Sequence, residues 1–127
     1  MKAILDTHTF LWAIAGDRRM SQKAHDLFVG PSDLFLSVAS IWEILIKVQL
    51  RKLNLPQPAG PYMIGRLAQN QIGTLPLNLD HLLAFEGLPM HHRDPFDRIL
   101  IAQAIEEGLP IVTADPHFSR YPVEVIW

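Results

Sequence analysis

The chain has 127 residues, 49% of them hydrophobic and 19% charged, with a formal net charge of −2. That is the length of one domain, read as residues 1–127, and it is too apolar for intrinsic disorder. It excludes nucleic-acid binding by bulk positive charge, so any such contact must be local or metal-mediated. The absence of cysteine excludes disulfides, thiolate zinc sites and a cysteine nucleophile, and leans towards a reducing compartment.

The high apolar fraction of so small a chain points to an oligomer or partner surface. Lys2, the apolar stretch after it and Ala13-Ile14-Ala15-Gly16 mimic a secretory leader, but Asp6 and His8 interrupt the apolar core. No stretch approaches the ~20 apolar residues of a membrane helix. The expected location is the cytoplasm, without a membrane.

Lys2 to Asp6 form a short apolar run ending in an acid. Thr7 to Ala15 then reads as a helix stopped by Gly16-Asp17. Ser21 can cap a second helix to Val29, closed by Gly30-Pro31. Leu34 to Leu36 is a second strand, and Ser37 caps a long helix to about Lys52. Pro56 and Pro58 break the chain, and Pro61 stands near the start of a helix ending near Asn70. Thr74 to Leu77 is a third strand, and Asn78 caps a helix to Glu86. After a loop from Gly87 to Arg93, Asp94 opens a helix to Glu107, closed by Gly108. Pro110 to Thr113 is a fourth strand and Val123 to Trp127 a fifth. Alternation of short strands with helical patterns predicts an α/β fold with a mainly parallel sheet of four or five strands flanked by helices.

Asp6 ends the first strand, and Asp115 lies two residues beyond the fourth. In a parallel sheet the C-terminal strand ends share one edge, where ligands bind, so neighbouring strands would bring both acids there. Each also reads as a cap or turn residue. Glu43 lies inside an apolar helix, beside Ala39, Ser40, Lys47 and Leu50 at ~100° per residue. A buried carboxylate there needs a cation or donors; the alternative is a solvated i,i+4 pair with Lys47. Asp94-Pro95-Phe96-Asp97 places acids at N-cap and N3, which helix capping explains in full. Taken together, Asp6, Glu43, Asp97 and Asp115 make a different case. Converging carboxylates repel without a cation, and an oxygen-only set suits Mg²⁺ or Mn²⁺ and metal-assisted phosphodiester hydrolysis.

Leu5-Asp6-Thr7-His8, Ser37 to Glu43, Asp94 to Ala104 and Thr113-Ala114-Asp115 stand in this order over nearly the whole chain. With His117-Phe118, Tyr121 and Ile126-Trp127 they resemble the PIN-domain ribonucleases, in particular VapC-like toxins of type II toxin–antitoxin modules. The resemblance implies a PIN-like α/β fold and Mg²⁺- or Mn²⁺-dependent RNA cleavage. It places the catalytic, metal-holding acids at Asp6, Glu43, Asp97 and Asp115, with Asp97 preferred to Asp94 because it heads the Ile-Leu-Ile-Ala-Gln-Ala helix. Thr7, Thr113 and Asp94 would support that set. It further implies a homodimer and an antitoxin partner whose tail blocks the acids, sometimes with a basic side chain.

Arg93 and Arg98 flank the acids and are candidates for RNA phosphates, although Arg98 can equally pair with Asp94. Lys47 and Arg51 continue the Glu43 stripe as a candidate positive rim. Trp12, Trp42 and Phe96 are candidates for base stacking, with core packing the default for Trp42 and Phe96. His81, His91 and His92 match no zinc spacing and read as a polar loop or a phosphate contact. A haloacid-dehalogenase-type phosphatase would also begin with a strand ending in Asp, but it needs a second Asp two residues on, where His8 stands. The rival class is a non-enzymatic α/β interaction module whose acids are all caps and salt bridges.

Overall fold

The structure, a computed structural model, describes residues 1–127. Its five strands form one sheet in the order β3-β2-β1-β4-β5. They are β1 (Lys2–Leu5), β2 (Asp33–Ser37), β3 (Gly73–Leu75), β4 (Ile111–Val112) and β5 (Val125–Ile126). Every pairing is parallel, with Leu5 opposite Leu36 on one side and Val112 on the other. The expected PIN-like architecture is therefore present.

Six α-helices connect and cover the strands: α1 (Thr7–Ala15), α2 (Gln22–Val29), α3 (Val38–Gln49), α4 (Ala59–Gln69), α5 (Leu79–Glu86) and α6 (Pro95–Glu107). A 3₁₀ helix, Pro116–Arg120, follows β4. Side chains alternate across the central strand. Ala3 and Leu5 pack with Phe10, Ile44 and Met63 on one face, while Ile4 packs with Leu100, Ile101 and Phe118 on the other. Burial on both faces is why β1 reads as an unbroken apolar run. Each fully buried side chain of this size contributes roughly 1.5–3 kcal/mol.

Several boundaries differ from the sequence reading. α3 stops at Gln49, not near Lys52. Arg51 takes a left-handed φ of 58°, and the Lys52 and Arg51 amides donate to the Lys47 and Val48 carbonyls. This C-terminal cap usually carries glycine, and an arginine there is no stop signal. α4 starts at Ala59, which puts Pro61 at its third position, where an amide has no intrahelical partner anyway. β3 ends at Leu75 because Pro76 follows, and β5 is confined to Val125–Ile126. The 3₁₀ turn was not anticipated. No helix is long and apolar enough to cross a membrane.

The carboxyl edge of the sheet and its acids

The three central strands deliver their last residues to the same edge. Asp6 follows β1, Ser37 ends β2 and Thr113 follows β4. Asp6 is buried and caps α1, its Oδ1 accepting the Thr9 amide at 2.7 Å. Its other oxygen accepts a hydrogen bond from the Thr113 hydroxyl. Thr113 Oγ1 in turn accepts the Asp115 amide at 3.0 Å. One buried threonine therefore joins the two acids across adjacent strands.

Glu43 reaches the same edge from α3 and is 4% exposed. The Thr7 hydroxyl donates to its Oε1 at 2.8 Å, and Thr7 and Ser40 share a 2.9 Å hydrogen bond. Lys47 Nζ donates to Oε2 at 2.9 Å. Both sequence readings of Glu43 are present at once: it has its i,i+4 lysine, yet it is buried beside the residue that follows Asp6.

Asp94 caps α6, accepting the Phe96 amide at 2.8 Å and the Asp97 amide at 3.3 Å. Asp97 faces the other way and takes a 2.7 Å hydrogen bond with His92 Nε2. Burial raises the Asp97 carboxyl to about 6; the His92 bond opposes this, and the charges of Asp94 and Asp6 add to it. Asp6 and Asp97 are thus electrostatic neighbours. Asp115 caps the 3₁₀ helix, its Oδ1 accepting the His117 amide at 2.9 Å and lying 2.8 Å from His117 Nδ1. Its carboxyl is held below the usual range. Burial, the largest influence, pushes upward and is outweighed by the His117 hydrogen bonds and by the charges of His117 and His92.

The four expected cationic contacts divide. Lys47 is committed to Glu43 rather than projecting freely. Arg51 lies beyond the end of α3, off the stripe it was expected to continue. Arg93 is exposed. Arg98 is buried, donates to the Leu88 carbonyl at 3.1 Å and lies 4.6 Å over the Phe85 ring. Its position on α6 turns it towards α5, away from the acids and from a side-chain pair with Asp94. Trp42, assigned to the core by default, is 60% exposed and meets Phe96 edge-on.

The sequence reading missed His92 and His117 as partners of the acids. His117 carried a usable signal, because Asp115-Pro116-His117 is a cap followed two residues later by an imidazole. His92 meets Asp97 through the bend of a loop, which no periodicity reports. His81 is buried and completes a capping box with Asn78. Beside Asp6 and Asp115, His8, Trp12 and Arg19 wall a cleft of about 320 Å³. The same three residues also wall a neighbouring cleft of about 580 Å³, which Lys47, Lys52 and Tyr62 help to line.

Comparison with known proteins agrees with this architecture. The chain is 42% identical over 50 residues to Ribonuclease VapC16 of Mycobacterium tuberculosis (strain ATCC 25618 / H37Rv). The aligned stretch is 39% of this chain and spans 34% of that relative, about a third of its length. Its fold is similar to the crystal structure of VapBC2 from Rickettsia felis bound to a promoter DNA fragment (TM-score 0.74, 15% identity, covering 100% of this chain and 99% of that one). It is also similar to FitAcB from Neisseria gonorrhoeae (TM-score 0.68, 18% identity, covering 100% and 97%). A toxin–antitoxin complex from Klebsiella pneumoniae gives a TM-score of 0.67 at 16% identity, covering 98% and 96%. The model of the PIN domain matches residues 3–124, almost the entire chain, and the chain belongs to the PIN domain family.

Proposed function

We propose that the chain is a metal-dependent endoribonuclease and the toxin of a type II toxin–antitoxin module. The observation that carries this reading is the Asp6–Thr113–Asp115 link at the carboxyl edge, with Glu43 across Thr7 and with Asp97 electrostatically coupled to Asp6. An interaction module has no need to raise an aspartate by burying it among like charges. Membership of the PIN domain family and the likeness to Ribonuclease VapC16 support the same reaction class.

Asp6, Asp97, Glu43 and Asp115 are oxygen donors and would hold Mg²⁺ or Mn²⁺, the cations that oxygen-only sets suit. Burial raises the Asp97 carboxyl and the charges of Asp94 and Asp6 add to it, which fits such an ion, because a cation offsets both effects. Bound there, the ion would supply neutralisation of phosphate charge and a more acidic water. The protein's own groups fix the geometry. Thr113 aims Asp6, Thr7 aims Glu43, and Lys47 offsets one of the four negative charges. Trp12, with the Asp17-paired Arg19 4.7 Å from its ring, forms an aromatic wall beside Asp6 where single-stranded RNA can lie.

A homodimer and a cognate antitoxin are the proposed protein partners, in the cytoplasm. The apolar groove formed by Trp42, Leu82, Phe85 and Phe96 supplies the surface that the composition foreshadowed.

The test is cleavage of defined RNAs at fixed Mn²⁺. Asp6→Asn and Asp97→Asn should lose at least tenfold in rate with the fold retained. Asp94→Asn should stay within a few-fold of the parent, because asparagine also caps helices. Full activity of Asp6→Asn, or activity of the parent in excess chelator, would sink the metal-dependent reading.

A further inference from the structure

Two histidines outside the acidic set lie against its rim and have no part in the reaction proposed above. His92 comes from the loop before α6, and His117 from the 3₁₀ helix after β4. Their rings stack in parallel, with centroids 4.7 Å apart and planes at 9°. One ligand atom from each of them and one from Asp115 lie within 4.8 Å of one another. We propose that His92, His117 and Asp115 form a second cation site, two imidazoles and one carboxylate, for a borderline transition-metal ion such as Zn²⁺.

The donor chemistry separates this site from the acidic centre. Imidazole nitrogen suits Zn²⁺ and its neighbours, whereas Mg²⁺ prefers oxygen and keeps its waters. His92 uses Nε2 on Asp97 at 2.7 Å, which leaves Nδ1 for an ion. His117 Nδ1 lies 2.8 Å from Asp115 Oδ1, so an ion shared by the two takes the place of that hydrogen bond. A carboxylate holding the far nitrogen of a ligating histidine is the usual way such a ring is oriented, and Asp97 stands in that relation to His92.

The two segments are fastened together before any ion arrives. The buried Tyr121 hydroxyl accepts the His91 and His92 amides at 3.1 and 3.0 Å and donates to the Pro89 carbonyl at 2.8 Å. One side chain thus pins the histidine loop to the end of the 3₁₀ helix. Asp115 is held from its own side by the Thr113 hydroxyl and the His117 amide. The remaining movement falls to the His117 side chain, 48% exposed, whose ring must turn out of the stack to share an ion with His92. Asp115 belongs to both sites, so an ion here competes for that carboxylate with one in the acidic centre.

The test is calorimetric titration of Zn²⁺ into the full chain in excess Mg²⁺. The parent should bind one Zn²⁺. His92→Gln and His117→Gln should each weaken that binding at least tenfold, while Tyr121→Phe should weaken it several-fold with both histidines in place. Asp6→Asn should bind Zn²⁺ at least as tightly as the parent, because it weakens the ion that competes for Asp115, and the distant His25→Gln should bind it as the parent does. Because Asp6→Asn removes a proposed Mg²⁺ ligand only, it separates failure of this site from failure of the acidic one. Thermal melts check folding, and His117→Gln decides if His92→Gln does not fold. No Zn²⁺ uptake by the parent, or parental affinity in either histidine variant, overturns the proposal.

Discussion

Lys47 places its ammonium 2.9 Å from the buried carboxylate of Glu43 and is itself 37% exposed. The pair therefore has one end in the protein and one in water. That end is free to leave if another cation takes over Glu43.

Replacing Lys47 by methionine should leave Glu43 buried and half-compensated. We expect a loss of about 1–2 kcal/mol without metal, less than for a fully buried pair because water screens the lysine. The rise in melting temperature on adding Mn²⁺ should become larger in Lys47→Met than in the parent. An equal Mn²⁺ increment in both proteins would show that Glu43 is not part of the ion's environment.

Thr113→Val keeps the shape of the strand end and removes the hydroxyl that joins Asp6 to Asp115. One buried carboxylate oxygen and one amide lose their partner, at a cost of about 1–3 kcal/mol by urea denaturation. RNA cleavage should fall further than stability alone explains. A variant that melts and cleaves like the parent would remove Thr113 from the site.

Asp97 gives a pH signature in the metal-free protein. Its carboxyl ionises near 3.8 in the unfolded chain and near 6 in the fold. Well below pH 3.8 it is protonated in both states and costs nothing. As the pH rises from about 4 to 6 the unfolded state loses the proton first, so stability falls, by up to about 3 kcal/mol, and stays lower above 6. Asp97→Asn should lack this fall. Urea denaturation of both proteins in chelator at pH 4, 5, 6 and 7 measures the difference, which should widen with pH; a constant difference would rule out the buried, raised carboxyl.

Gln71 has a φ of 54° at the end of α4, where the Ile72 amide reaches the Leu67 carbonyl. Glycine takes this conformation without the side-chain clash. Gln71→Gly should therefore stabilise the protein by about 0.5–1 kcal/mol, and Arg51→Gly by a similar amount, in thermal melts. A destabilisation at both positions would contradict the cap geometry.

The same two residues show what the sequence conceals. Gly16 and Gly108 mark the ends of α1 and α6 openly, because each occupies a left-handed position with the residue type that prefers it. Arg51 and Gln71 occupy equivalent positions with no such mark, so the end of α3 was misjudged. The strand–helix alternation was legible because β1 is buried on both faces and every α-helix but α4 carries a side-chain cap. Asp6 and Asp115 were legible as residues at strand ends, since topology alone places Asp6 beside the end of β4. Their partners were less so. The turn of α6 that carries Asp97 to His92 also carries Arg98 under Phe85, and a one-residue difference in helical phase is below what spacing can resolve.

The hydrogen bond between Asp6 and Thr113 closes a loop of 107 positions. The acid is made 107 positions before the group that aims it. Until β4 has left the ribosome and slid in beside β1, the nascent chain carries Asp6 without that anchor. The acidic centre is thus a property of the finished molecule.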